Sequence, residues 1–94
     1  MNRQQRKFDR QRLELFERRG VEMERRWSED ARGRRTCVLD SGGDDPPLVM
    51  IHGGGSNAAE WAPIAGRFVD RRRLLAVDRP GCGLSYSTDY DGID

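Results

Sequence analysis

LVMIHGGGSNAAEW, residues 48–61, is the stretch on which the reading of this chain turns. Leu48 to Ile51 form an unbroken apolar run, the pattern of a strand buried on both faces in a parallel sheet. A histidine and three glycines follow. Trp61, Ile64, Ala65, Phe68 and Val69 then recur at i, i+3, i+4, i+7 and i+8, which predicts one face of a helix. Its start has two candidates: Asn57 with Glu60 reads as a capping pair, and Pro63 suits the first turn of a slightly later helix. After the charged connector DRRR, the run LLAV (74–77) repeats the buried-strand signature and ends at Asp78. Strand, helix and strand in this order predict a right-handed parallel crossover.

Upstream, the period changes. Val21, Met23 and Trp27 alternate with polar residues, and RRTCVLD (34–40) is a second short strand, so residues 21–40 predict a β-hairpin turned at EDARG. SGGDDPP (41–47) is a loop. Residues 3–19 form a basic amphipathic helix, with Phe8, Leu13, Leu15 and Phe16 on one arc and Gly20 as its stop. Acidic residues interleave its basic ones, and it has neither a lysine cluster nor a tryptophan. It therefore reads as a solvated arm docked through Phe8, Leu15 and Phe16 rather than as a membrane or nucleic-acid binder. The division is an N-terminal helix, 1–20, and an α/β unit, 21–94.

Ninety-four residues with 35% apolar and 35% charged composition set a modest core for one small domain. The net charge is +1, which argues against a general polyanion binder. Residues 1–35 carry twelve Arg and Lys against seven Asp and Glu, and the remainder five against nine. Cys37 and Cys82 form no CxxC pair, and His52 is the only histidine, so neither a metal site nor a disulfide framework is expected. No signal-like or membrane-spanning apolar segment is present, which makes a cytoplasmic setting the expectation.

A glycine-rich turn between a buried strand and a helix aims backbone N–H groups at open space and attracts negative charge. That charge can belong to a phosphate or to a developing oxyanion. For the phosphate, Gly53, Gly55 and Ala58 satisfy G-x-G-x-x-G/A. Asp78, 20 residues beyond Ala58, stands where a ribose-binding carboxylate would lie. Against it, a hairpin precedes the glycine strand, Asp78 runs directly into the tight turn Arg79-Pro80-Gly81, and no Lys-Ser/Thr follows to make a P-loop.

For the oxyanion, His52-Gly53-Gly54-Gly55 at the end of a buried strand resembles the HGGG oxyanion loop of the α/β-hydrolase family. DRPGCGLS (78–85) resembles that family's DxPGxGxS turn after the following strand. The resemblance covers residues 21–94. It implies an α/β fold, the N-terminal part of a hydrolase sheet made of a β-hairpin and a parallel β-α-β unit. It also implies that the backbone N–H groups of Gly54 and Gly55 donate to an oxyanion. By the same resemblance, His52 is a structural histidine of the loop, and Gly53, Ser56, Asp78, Gly81, Gly83 and Ser85 shape the loop and turn. Read without the family, the last four residues form a plain β-turn with local hydrogen bonds.

The family's nucleophile sits on a G-x-S-x-G elbow, followed by an acid and a histidine. No such elbow occurs in this sequence. Gly54-Gly55-Ser56-Asn57-Ala58 lies between a strand and a helix but has only His52, four residues back, as a base. Gly83-Leu84-Ser85-Tyr86-Ser87 follows a turn. Catalytic nucleophile, acid and base are thus absent, and no cofactor is implied. The reading is a hydrolase of an ester, amide, epoxide or similar small substrate, represented by its front part, cut before the elbow and silent alone. Its partners are a small-molecule substrate in the full-length protein, with no nucleic acid or membrane, and self-association through an exposed LVMI edge is expected. The competing classes are the nucleotide-binding module and a non-catalytic interaction protein using the basic helix.

Overall fold

The computed structural model describes residues 1–87. Its elements are α1 (Arg3–Glu17), β1 (Glu24–Glu29), β2 (Arg35–Asp40), β3 (Pro47–Ile51), a 3₁₀ turn (Ala58–Trp61), α2 (Ala62–Ala65) and β4 (Arg73–Val77). Helix α1 begins with a reciprocal cap. The Asn2 side chain accepts from the Gln5 backbone N–H, and Gln5 accepts from that of Asn2, both at 2.8 Å. It ends where Gly20 takes φ +78° and the Val21 N–H returns to the Phe16 carbonyl.

The strands form one sheet in the order β1-β2-β4-β3. β1 and β2 are the expected hairpin, with Trp27 opposite Cys37. β3 and β4 are parallel, with Met50 opposite Ala76, and β2 runs antiparallel to β4. The hairpin therefore joins the crossover through its second strand, and β3 lies at the sheet edge. Cys37, Leu39, Met50, Leu74 and Ala76 bury one face of the sheet against Phe16, Val21, Ala58, Ala62 and Ala65. Fully burying a side chain the size of Phe16 contributes about 1.5–3 kcal/mol.

Three expectations need correction. LVMI is not buried on both faces: Val49 is 53% and Ile51 60% exposed, because α1, the 3₁₀ turn and α2 all cover the opposite side. The stripe from Trp61 to Val69 is not one helix. The 3₁₀ turn and α2 bury Ala58, Ala62 and Ala65, while Phe68 faces out. Small side chains on that arc let the segment approach the sheet. The helix ends at Gly66, where the Arg19 carbonyl comes so close that a side chain would be crowded. Both predicted starts are used, Asn57 capping the 3₁₀ turn and Pro63 in the first turn of α2. Glu60, however, turns to the Gly53 N–H. Finally, α1 does not dock through Leu15, which is exposed. Its inward face is Asp9, Arg12 and Phe16.

Candidate functional site

Beyond β3, His52 is buried, and both ring nitrogens are engaged. Nε2 accepts the Arg79 backbone N–H at 3.0 Å, which leaves the proton on Nδ1 to donate to the Gly53 carbonyl at 2.6 Å. The ring thus pins the glycine loop after β3 to the turn after β4. It has no nitrogen left to serve Ser56 as a base.

The Gly53 N–H donates to Glu60 Oε2 at 3.1 Å. Among the described residues, the N–H groups of Gly54 and Gly55 meet no acceptor. Gly55 needs its glycine for a φ of +76°. Gly54 has no such need, and a side chain there would enter open space. That space is a hollow of about 250 Å³ lined by Gly54, Gly55, Arg79 and Cys82. The 3₁₀ turn and α2, four residues each, are too short to add the helix field expected from the sequence.

Asp78 is not a free carboxylate at a strand end. It is completely buried, and its oxygens accept from Arg12 Nη1 at 2.7 and 2.8 Å, from the Ala58 N–H at 2.8 Å and from the Leu84 N–H at 3.0 Å. No oxygen faces a ribose, which removes the physical basis of the dinucleotide reading. Gly83, at φ +52°, must be glycine because a side chain would run into this carboxylate. Gly81, at φ +79°, donates its N–H to the Tyr86 carbonyl at 2.7 Å.

Ser85 does more than close a local turn. Its hydroxyl donates to the Asp78 carbonyl at 2.6 Å and accepts the Cys37 N–H at 2.9 Å, tying the turn to β2. Cys37 lies under the same cluster, and burial, with the Asp78 charge beside it, pushes its thiol up to about 12. It is a packing residue. Ser56 lies half-buried in the glycine loop, and its hydroxyl makes no hydrogen bond to His52 among the described residues.

The residue that sequence reasoning missed is Arg12, 2% exposed and carried in from α1 across 66 positions to Asp78. A signal existed. Phe8, Arg12 and Phe16 are spaced i, i+4, i+8, so an arginine sat in the middle of the apolar arc. Asp9 extends the buried network, pairing with Arg25 Nε at 3.0 Å and lying 3.7 Å from Arg12 Nη2.

Comparison with known proteins follows the same residues. A model described as the alpha/beta hydrolase family matches residues 48–94. The pimeloyl-[acyl-carrier protein] methyl ester esterase of Legionella pneumophila (strain Lens) is 36% identical over 55 residues, covering 58% of this chain and 23% of that protein. The 2-(acetamidomethylene)succinate hydrolase of Mesorhizobium japonicum is 38% identical over 64 residues, 66% of this chain and 23% of that protein. Among solved structures, carboxylesterase CesB of Bacillus subtilis superimposes with a TM-score of 0.73 at 28% identity, over 90% of this chain and 29% of that one. The chain thus spans about a quarter of the length of the relatives it matches.

Proposed function

Because the chain belongs to the alpha/beta hydrolase family, we propose that its glycine loop is the oxyanion-binding element of a hydrolase acting on an ester, amide, epoxide or similar small substrate. The observation that carries this is the pair of N–H groups at Gly54 and Gly55 that meet no acceptor among the described residues, beside an open hollow. When a nucleophile adds to an acyl carbon, the carbonyl oxygen gains a full negative charge. Two fixed donors stabilise that charge without reorganising, and removal of one such donor costs on the order of 10²–10³ in kcat. His52, through Gly53 and Arg79, holds the loop in place, and Asp78, Gly81, Gly83 and Ser85 hold the turn against it.

The sequence contains no G-x-S-x-G elbow. The chain's own residues therefore provide electrostatic stabilisation without a nucleophile, and turnover by this chain alone is not expected. The free thiols of Cys37 and Cys82 support a cytoplasmic setting. Among the described residues no helix is long and apolar enough to cross a membrane. The apolar side chains left exposed on edge strand β3 support self-association of the isolated chain.

Calorimetric titration with butylphosphonate, whose charged oxygens imitate the oxyanion, tests the reading. Saturable binding that is lost in Gly54→Pro, a variant without that N–H, is expected. Equal affinity in both proteins would remove Gly54 from the site. Ester turnover abolished by Ser56→Ala would make Ser56 a nucleophile and overturn the silence.

A further inference from the structure

Among the described residues, Arg79 is the one charged side chain lining the hollow beside Gly54 and Gly55. Its backbone is fixed by the N–H donated to His52 Nε2, and its guanidinium reaches back to the His52 carbonyl, at 3.5 Å. Among the described residues no carboxylate pairs with it. In the surrounding hydrogen-bond network Asp78 is paired with Arg12, and Glu60 accepts the Gly53 N–H. Half-buried, and beside two N–H groups that meet no acceptor among the described residues, the guanidinium gives the hollow a charged, planar, forked donor.

We infer that the hollow selects acyl substrates carrying a second anionic group, a carboxylate close to the bond that is broken, with Arg79 as the residue that binds it. The inference rests on the oxyanion reading and deepens it. The Gly54 and Gly55 N–H groups take the oxygen that becomes charged in the reaction, and Arg79 takes the charge that is present throughout. A carboxylate held by Arg79 lowers KM for acidic substrates, whereas the loop donors act on the chemical step.

The test uses the 94-residue chain and two probes, butylphosphonate and 4-phosphonobutyrate, followed through the amide resonances of Gly54 and Gly55. 4-Phosphonobutyrate is expected to bind about tenfold more tightly, the advantage of one charge-assisted pair. That advantage should vanish in Arg79→Gln and survive in part in Arg79→Lys, which keeps the charge without the fork. Equal binding of the two probes to the unaltered chain would overturn the acidic-substrate inference while leaving the oxyanion loop intact. Failure of both probes to move the two amides would take down the oxyanion reading and this inference together, and movement by butylphosphonate alone would overturn this inference only. The comparison of probes on the unaltered chain decides the matter even if Arg79→Gln does not fold.

Discussion

One sheet presents two very different faces. On the covered face, Leu39, Met50, Leu74 and Ala76 pack under α1 and the alanines of the 3₁₀ turn and α2, and the seam is closed by a buried network centred on Asp78. On the opposite face, Val49 and Ile51 are more exposed than covered, and Val38, Leu75 and Val77 beside them are only half-buried. A strand run as apolar as LVMI expects cover on both sides. The comparison teaches that the glycine loop and the turn beside it belong to the finished side of the molecule. They are held by charge and hydrogen bonds, while the apolar side chains of the other face have nothing over them among the described residues.

Breaking the covered side should have the largest effect. Asp78→Ala strips the buried Arg12 guanidinium of its close partner and leaves only Asp9, 3.7 Å away and shared with Arg25, and such a loss costs about 3–5 kcal/mol. Urea denaturation followed by circular dichroism should show the folded baseline lost or nearly so. The double variant Arg12→Met with Asp78→Leu removes both charges and should recover a large part of the loss. A double variant no better than the single one would mean that the hydrogen bonds to Ala58 and Leu84, rather than charge balance, dominate.

Gly83→Ala attacks the same seam more locally. The residue sits at φ +52°, and its new methyl group would meet the Asp78 carboxylate. A cost of about 1–3 kcal/mol is expected from the strain alone, read as a lowered urea midpoint. An unchanged midpoint would show that the turn moves freely against Asp78.

The bare side sharpens the contrast. Val49→Lys with Ile51→Lys should raise the monomer fraction in sedimentation velocity while changing monomer stability by no more than about 0.5 kcal/mol. If self-association persists, the sheet face is not its surface.

The smallest effect lies at the rim. Arg73, donating to Asp40 at 2.9 and 2.5 Å, together with the Gly42 N–H, holds the Asp40 carboxyl at about 2, below its ordinary 3.8. A carboxyl depressed in the folded state stabilises above its unfolded pKa and stops doing so as pH falls through the folded one. The difference in thermal midpoint between the unaltered chain and Asp40→Asn should therefore be constant above about pH 4 and shrink as pH falls toward about 2. Arg73 is partly exposed, so added salt should reduce the effect.

The hairpin, the two strands of the crossover and the glycine loop were all legible in the sequence, because period-two alternation, short apolar runs and glycine clusters are local signals. The family resemblance rested on His52-Gly53-Gly54-Gly55 and on residues 78–85, and the family match runs over residues 48–94, a range that includes both stretches. What escaped was non-local. Trp61, Ile64 and Phe68 offered a helical stripe, yet the chain chose the alanines, since close approach to β3 and β4 outweighs apolar bulk. Asp78 looked like a turn residue or a ribose ligand because its partner, Arg12, lies 66 positions away on an element read as a solvated arm. No local pattern reports a buried ion pair between distant segments. An arginine in the middle of an apolar arc was the only trace.

The most direct test of the glycine loop is an amide spectrum of the dilute 94-residue chain titrated with butylphosphonate. The resonances of Gly54 and Gly55 should move together to saturation, while the Gly53 amide, committed to Glu60, moves much less. Shifts scattered over other surfaces, or none at the two glycines, would contradict an oxyanion-binding role for the loop.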